Sequence, residues 1–129
     1  MSYQPFLTAR QTSYKGILMR SRLEASWAAQ FDRDEAEGKI LSWDYEPLCF
    51  ANETDQYLPD FRALHPLNGY IYVEVKPSDT PPEKWQKKME VILDSEPQGL
   101  LILLCGVPAD HHWYRYPKSA SSQIWVKGP

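Results

Sequence analysis

The sequence predicts a single mixed α/β (α+β) domain, a central mixed sheet flanked by helices in the order helix, strands, helix, strand. Three observations predict it. Apolar residues recur at helical spacing over residues 18–35. Tyr70-Ile71-Tyr72-Val73-Glu74-Val75-Lys76 is built of strand-favouring residues and places Ile71, Val73 and Val75 on one face. A helical pattern over 82–95 then leads into Leu100-Leu101-Ile102-Leu103-Leu104-Cys105, the continuous apolar run of a strand covered on both sides. Strand, helix, strand in that order implies a right-handed parallel crossover. A chain of 129 residues, 43% of them hydrophobic, fits one domain with a real core.

Taken in order, residues 11–16 read as loop, and the first helix runs from about Leu18 to Glu35. Leu23, Trp27, Ala28 and Phe31 form its buried stripe, and Gly38 fits a C-terminal cap. Arg20, Glu24 and Ala28 follow one another at helical spacing, so Glu24 borders the buried face. By position alone, Arg20 and Glu24 equally suit a surface ion pair. Strands are expected over 39–43, 48–51 and 57–63, with Tyr45-Glu46-Pro47 as an interruption and 52–55 as polar turn. Residues 65–69 form a loop that returns the chain antiparallel into the strand 70–76. Prolines 77, 81 and 82 stop that strand and open the second helix, whose packing face is Trp85, Met89, Ile92 and Leu93. Gly106 to Asp110 reads as loop and Ser119 to Ser122 as a turn. The tail, with Trp113, Tyr114, Arg115, Tyr116 and Trp125, suits an edge hairpin, with base stacking and phosphate contact as the second possibility.

Composition narrows the function classes. No stretch is long and apolar enough to span a membrane, and no basic-then-apolar signal pattern opens the chain. A soluble, cytoplasmic protein is the expectation. Cys49 and Cys105 read as buried free thiols, and no Cys/His spacing suggests zinc. The net charge of −3 is unevenly spread. Residues 1–22 hold Arg10, Lys15, Arg20 and Arg22 with no acid, and 111–129 hold Arg115, Lys118 and Lys127 with none. Residues 23–60 carry ten acids against Arg33 and Lys39. Either basic end suits phosphate contact or simple solvation.

The chemistry concentrates in two short stretches. In Tyr57-Leu58-Pro59-Asp60 the proline keeps Leu58 extended and delivers Asp60 at the end of a short apolar run. In the strand 70–76, Glu74 and Lys76 share a face about 7 Å apart, two residues at ~3.3 Å each. If the two stretches pair, Asp60 and Glu74 converge on one cation. Hard cations take carboxylate oxygens and keep several waters. Such an ion activates water and neutralises charge on a phosphodiester, and a lysine orients that water or steadies the developing charge. Glu-x-Lys alone is more simply a surface pair on an ordinary strand.

The full combination resembles the PD-(D/E)XK nuclease superfamily. The order Arg20-Ser21-Arg22-Leu23-Glu24-Ala25, Tyr45-Glu46-Pro47, Tyr57-Leu58-Pro59-Asp60, Val73-Glu74-Val75-Lys76 is similar to the branch holding transposon end-cleaving nucleases and phage junction-resolving endonucleases. The resemblance covers about residues 14–105 and implies one restriction-endonuclease-like domain over 1–129, with 111–129 as an aromatic, basic C-terminal segment. It implies Glu24, Asp60, Glu74 and Lys76 as catalytic residues. Asp60, Glu74 and Glu24 are the implied ligands of Mg2+, for which Mn2+ substitutes. Arg20 and Lys84 are candidate phosphate contacts. The expected activity is metal-dependent hydrolysis of DNA phosphodiesters, on branched DNA or on phage or mobile-element DNA, by a homodimer or within a larger protein complex. The alternatives are a non-catalytic nuclease-fold module that binds DNA or protein, and a nuclease acting on RNA.

Overall fold

Ser21 decides where the first helix begins. Its hydroxyl accepts the Glu24 N–H at 3.0 Å, so the helix α1 spans Arg22–Ala36 rather than starting at Leu18. The computed structural model describes residues 11–80, 82–118 and 124–126. The expected turn at 119–122 and the basic residues Arg10 and Lys127 lie outside the described residues.

The segment ahead of Ser21 is a hairpin, not a loop. β1 (Thr12–Tyr14) and β2 (Ile17–Met19) pair antiparallel across Lys15 and Gly16. Both turn residues have positive φ, 50° and 82°, the geometry a two-residue hairpin loop requires. Arg20 therefore sits outside the helix. At the other end Gly38, at φ 76°, caps α1 as the sequence implied, its N–H reaching the Glu35 carbonyl.

Five strands form the central sheet in the order β3-β6-β7-β8-β9. β3 is Ser42–Tyr45, three residues later than expected, and stops where Glu46 takes φ 46° ahead of Pro47. β6 is Phe61–His65 and β7 is Gly69–Lys76, an antiparallel pair. The helix α2, Pro82–Ser95, carries the chain to β8 (Leu101–Val107), which pairs parallel with β7 as the crossover pattern demands. β9 (Asp110–Tyr116) returns as an edge strand beside β8, and the expected loop 106–110 shrinks to Pro108-Ala109. The tail's aromatic residues thus do enter a hairpin, but β8 is the partner. Two expected strands break up. Residues 48–51 contribute only β4 (Phe50–Ala51), which pairs with β5 (Gln56–Tyr57) in a separate small sheet. Pro59, which has no N–H to donate, divides the expected strand 57–63.

Side-chain alternation sorts the core onto the two faces of this sheet. Trp27, Ala28 and Phe31 of α1 pack on Phe61, Ala63, Ile71, Val73, Val75, Ile102 and Leu104, and Trp125 and Val126 close that layer. Trp85, Met89 and Ile92 of α2 pack on Tyr72, Leu101, Leu103, Cys105 and Tyr116, joined by Phe50 and Tyr57 from the small sheet. β8 is buried on both sides from Leu101 to Cys105. Cys105 is a buried thiol as expected, while Cys49 is exposed, because the chain leaves the sheet before reaching it. Among the described residues no helix is long and apolar enough to cross a membrane.

Candidate functional site

Glu24, Asp60 and Glu74 are 6%, 6% and 7% exposed. Carboxylates are rarely this buried without a partner or a purpose, so the donors that hold each one matter.

Asp60 lies one residue before β6. The register Phe61↔Val73, carried back one step, sets it beside Glu74. Pro59 ends the ladder there, and the N–H of buried Val75 has lost its strand partner. The Asp60 carboxylate supplies the acceptor, with Oδ2 taking the Val75 N–H at 2.9 Å. The Asp60 carbonyl in turn accepts the Glu46 N–H at 2.8 Å, which ties the positive-φ residue after β3 to the same spot.

Glu74 is on the α2 face of β7. Tyr57, in β5, donates its buried hydroxyl to Glu74 Oε1 at 2.7 Å. Lys76, two residues along and on the same face, brings Nζ to 3.5 Å from Glu74 Oε2. Glu24 arrives from the first turn of α1. Its Oε1 accepts both the Arg20 N–H at 2.8 Å and the Tyr45 hydroxyl at 3.0 Å. The surface ion pair that helical spacing allowed between Arg20 and Glu24 does not form. The Arg20 guanidinium pairs with Glu46 instead, because Arg20 precedes the helix.

One pattern recurs at all three acids. A single oxygen of each is fixed by an internal donor: Val75 N–H, Tyr57 O–H, or Arg20 N–H with Tyr45 O–H. Among the described residues, Glu24 Oε2 and Asp60 Oδ1 accept no protein hydrogen bond, and Glu74 Oε2 has only the long approach of Lys76. Neither is sealed from solvent, since the described residues contain no buried side-chain oxygen lacking a partner.

Electrostatics tie the three together. Burial first, and then the neighbouring charge of Glu74, push the Asp60 carboxyl up to about 8, and Glu24 adds to the rise. The Val75 N–H and the Lys76 ammonium pull the other way. Near neutral pH burial and the adjacent charge of Glu74 therefore favour the protonated form of Asp60. Burial, with Glu74 next to it, raises the Tyr57 hydroxyl well above its ordinary value, so it stays a donor at any working pH. Burial likewise pushes Tyr45 up to about 12, with Arg20 opposing and Glu24 adding.

These free oxygens suit a hard divalent cation. Mg2+ is held by one or two carboxylates and keeps several waters, and Asp60 and Glu74 can offer that. Among the described residues no group of three or more His, Cys, Asp or Glu side chains is arranged to hold a metal ion, so Glu24, Asp60 and Glu74 do not together form a closed three-acid set.

Of the expected substrate contacts, Arg20 is committed to Glu46, and Lys84 is exposed on α2 with Nζ 5.4 Å from the Trp85 ring centre. Tyr45 and Tyr57 emerge as site residues whose roles the sequence did not disclose, although both stand inside the stretches that drew attention. A tyrosine three residues before the aspartate is equally good strand material, so nothing local marks it as a carboxylate partner. His111 is buried and His112 exposed, on opposite sides of β9 as neighbours must be. No protein-family model, no curated protein and no solved structure matches the chain.

Proposed function

We propose that this chain is a PD-(D/E)XK-type, magnesium-dependent endonuclease that hydrolyses DNA phosphodiester bonds. The observation that carries the reading is the set of buried acids, each with one oxygen fixed and one left over, beside a lysine 3.5 Å from Glu74. A purely structural buried carboxylate spends both oxygens on protein donors, as Asp34 does with Gln30 and Trp125, whereas Asp60 and Glu24 each leave one open to solvent and to a ligand. A divalent cation at Asp60 and Glu74 would supply an activated water and neutralise charge on the phosphate.

The chain's own residues divide the remaining work. Asp60 and Glu74 present oxygens whose direction is set by Val75 and Tyr57, so little reorganisation remains when the substrate arrives. Glu24 acts through water, held at its inner oxygen by Tyr45. Lys76 orients the water whose oxygen attacks phosphorus and offsets the negative charge that grows as the bond to the leaving oxygen breaks. Its side chain is 30% exposed, open enough for a substrate phosphate to reach it. DNA is the proposed partner, and a second copy of the chain or a larger complex is needed where both strands are to be cut.

The test is cleavage with Mg2+ or Mn2+ over a panel of branched, duplex and single-stranded DNA, repeated with Asp60→Ala and Glu74→Ala. Metal-dependent cleavage by the wild type, lost in both variants, is the expected result. Cleavage that survives both substitutions at the wild-type rate overturns the assignment. No cleavage of any substrate would leave a DNA- or protein-binding module on the same fold.

A further inference from the structure

Three lysines stand over two aromatic rings, Trp85 and Tyr57, and two of them come from α2. Lys84 and Lys88 stand four residues apart, one turn or ~6 Å along the helix. Lys84 Nζ lies 5.4 Å from the Trp85 ring centre, and Lys76 Nζ lies 5.5 Å from the same ring. Lys88 Nζ lies 5.2 Å from the ring centre of Tyr57, the tyrosine whose hydroxyl donates to Glu74. Two buried aromatic rings therefore carry three ammonium groups, and the site is tied to one ring through the Tyr57 hydroxyl and to the other through Lys76. Cation–π contacts of this kind hold a lysine in place without neutralising it.

Charge makes the arrangement unusual for this chain. Acids outnumber bases, 17 against 14, and four lysines or arginines away from α2 pair with carboxylates: Lys15 with Asp32, Arg20 with Glu46, Lys39 with Glu37, Arg62 with Asp44. Among the described residues Lys84 and Lys88 have no carboxylate within ion-pair distance. Lys76 has only Glu74, at 3.5 Å. In an acidic protein, unneutralised cations collected on aromatic supports suit an anionic ligand that arrives from outside.

We propose that Lys84 and Lys88 form a phosphate rail along α2 that holds the sugar–phosphate backbone of a nucleic acid strand and leads it past Lys76 into the Asp60–Glu74 site. This rests on the nuclease reading above and adds to it where the substrate strand runs. The rail contacts phosphates only, so it contributes affinity and alignment without sequence preference. It also explains how a chain of net charge −3 engages a polyanion: a local cationic strip outweighs a distant acidic excess once salt screens beyond about 10 Å.

Salt dependence of DNA binding tests it. Binding of labelled duplex and four-way-junction DNA is followed by fluorescence anisotropy between roughly 50 and 200 mM salt, in an Asp60→Asn background that leaves the DNA intact. Removing a lysine that neutralises one phosphate lowers the slope of log affinity against log salt by about 0.9. Lys84→Ala with Lys88→Ala is therefore expected to reduce the slope by about 1.8 and to weaken binding at the low-salt end by roughly tenfold or more. Lys39→Ala removes one such charge from an acid-paired position off α2 and is expected to leave the slope unchanged. Circular dichroism confirms that the variants stay folded. A double variant with the wild-type slope, or a Lys39→Ala variant that lowers it by the full ~0.9 of a phosphate-contacting lysine, overturns the rail. Wild-type cleavage measured alongside separates the two ideas. Cleavage with an insensitive slope removes the rail alone. Absence of both binding and cleavage removes the nuclease reading and the rail with it.

Discussion

Replacing Asp60 with asparagine should stabilise the metal-free protein at neutral pH, and the gain should depend on pH in a defined sense. The folded chain holds the Asp60 carboxyl at about 8 against an ordinary value of 3.8, chiefly through burial and then through Glu74. A carboxyl that titrates higher in the folded state binds its proton more tightly there. Its contribution to stability is complete below about pH 4 and is lost progressively as pH rises toward 8. The interval from 3.8 to neutral pH, at about 1.4 kcal/mol per pH unit, sets an upper limit of about 4 kcal/mol. Relaxation and water entry around a group that keeps one oxygen open reduce this, and ~1–3 kcal/mol is the expected gain. Asparagine retains an oxygen for the Val75 N–H and cannot ionise, so it escapes the loss. The assay is denaturant unfolding of both proteins in chelator from about pH 4 to 8.5. The difference should be near zero at the acidic end and grow with pH. It corresponds to a melting temperature a few degrees higher for the variant at neutral pH. Millimolar Mg2+ or Mn2+ should then raise the wild-type midpoint and leave the variant's unchanged, since a ligand stabilises only the state that binds it. A wild type that is the more stable of the two at neutral pH in chelator would refute the account of Asp60 as a destabilised, cation-seeking group.

Lys76→Ala should lower turnover by roughly two orders of magnitude while metal affinity measured by calorimetry stays within a few-fold, because an ammonium that steadies charge does not ligate. Lys76→Arg should not restore the rate, a planar guanidinium being no substitute for a compact ammonium. Tyr57→Phe removes the donor to Glu74 Oε1 and should weaken metal affinity or activity by about 10–100-fold; a variant with wild-type affinity and rate would deny Tyr57 any part in the site. Gly106→Ala should cost roughly 1–3 kcal/mol in chemical unfolding, since Gly106 sits at φ 110° and an added Cβ would lie 2.5 Å from the Asp110 carbonyl oxygen. An unchanged unfolding midpoint would show that the β8–β9 turn can rearrange freely.

Long-period signals in the chain survive almost intact. The second helix occupies 82–95 as its periodicity predicts, and the apolar run at 100–105 is a central strand parallel to the strand of Glu74. Both rest on many residues acting together, so one misread position changes little. Boundaries that depend on one residue's conformation are harder to see. Leu18 and Met19 fit the helical pattern, yet Lys15 adopts a positive φ that lysine seldom takes, and the hairpin it permits claims them. Pro59 is visible as a local stiffener of Leu58. Its larger effect, cutting a strand and stranding the Val75 N–H for Asp60 to meet, depends on a partner strand fifteen residues away.

The same distinction explains which parts of the site are legible. Asp60, Glu74 and Lys76 can be named because strand alternation fixes Glu74 and Lys76 on one face, and a hairpin of short loop brings Asp60 opposite. Glu24 needs the resemblance, since helical spacing alone favours an ion pair that the real start of α1 forbids. Tyr45 and Tyr57 are hidden because their work lies across the fold. Tyr45 reaches back to a helix twenty-one positions earlier, and Tyr57 reaches a strand seventeen positions later. Lys88 is hidden for the same reason, its neighbour being the Tyr57 ring rather than anything on its own helix. On the proposed reading the acids specify where chemistry occurs, while Tyr45 and Tyr57 decide which oxygen of Glu24 and of Glu74 remains free, as the Val75 N–H does for Asp60. A sequence sharing the acids and lysine without these two hydroxyls would retain the charges and lose their orientation, and the Tyr57→Phe measurement separates those two contributions.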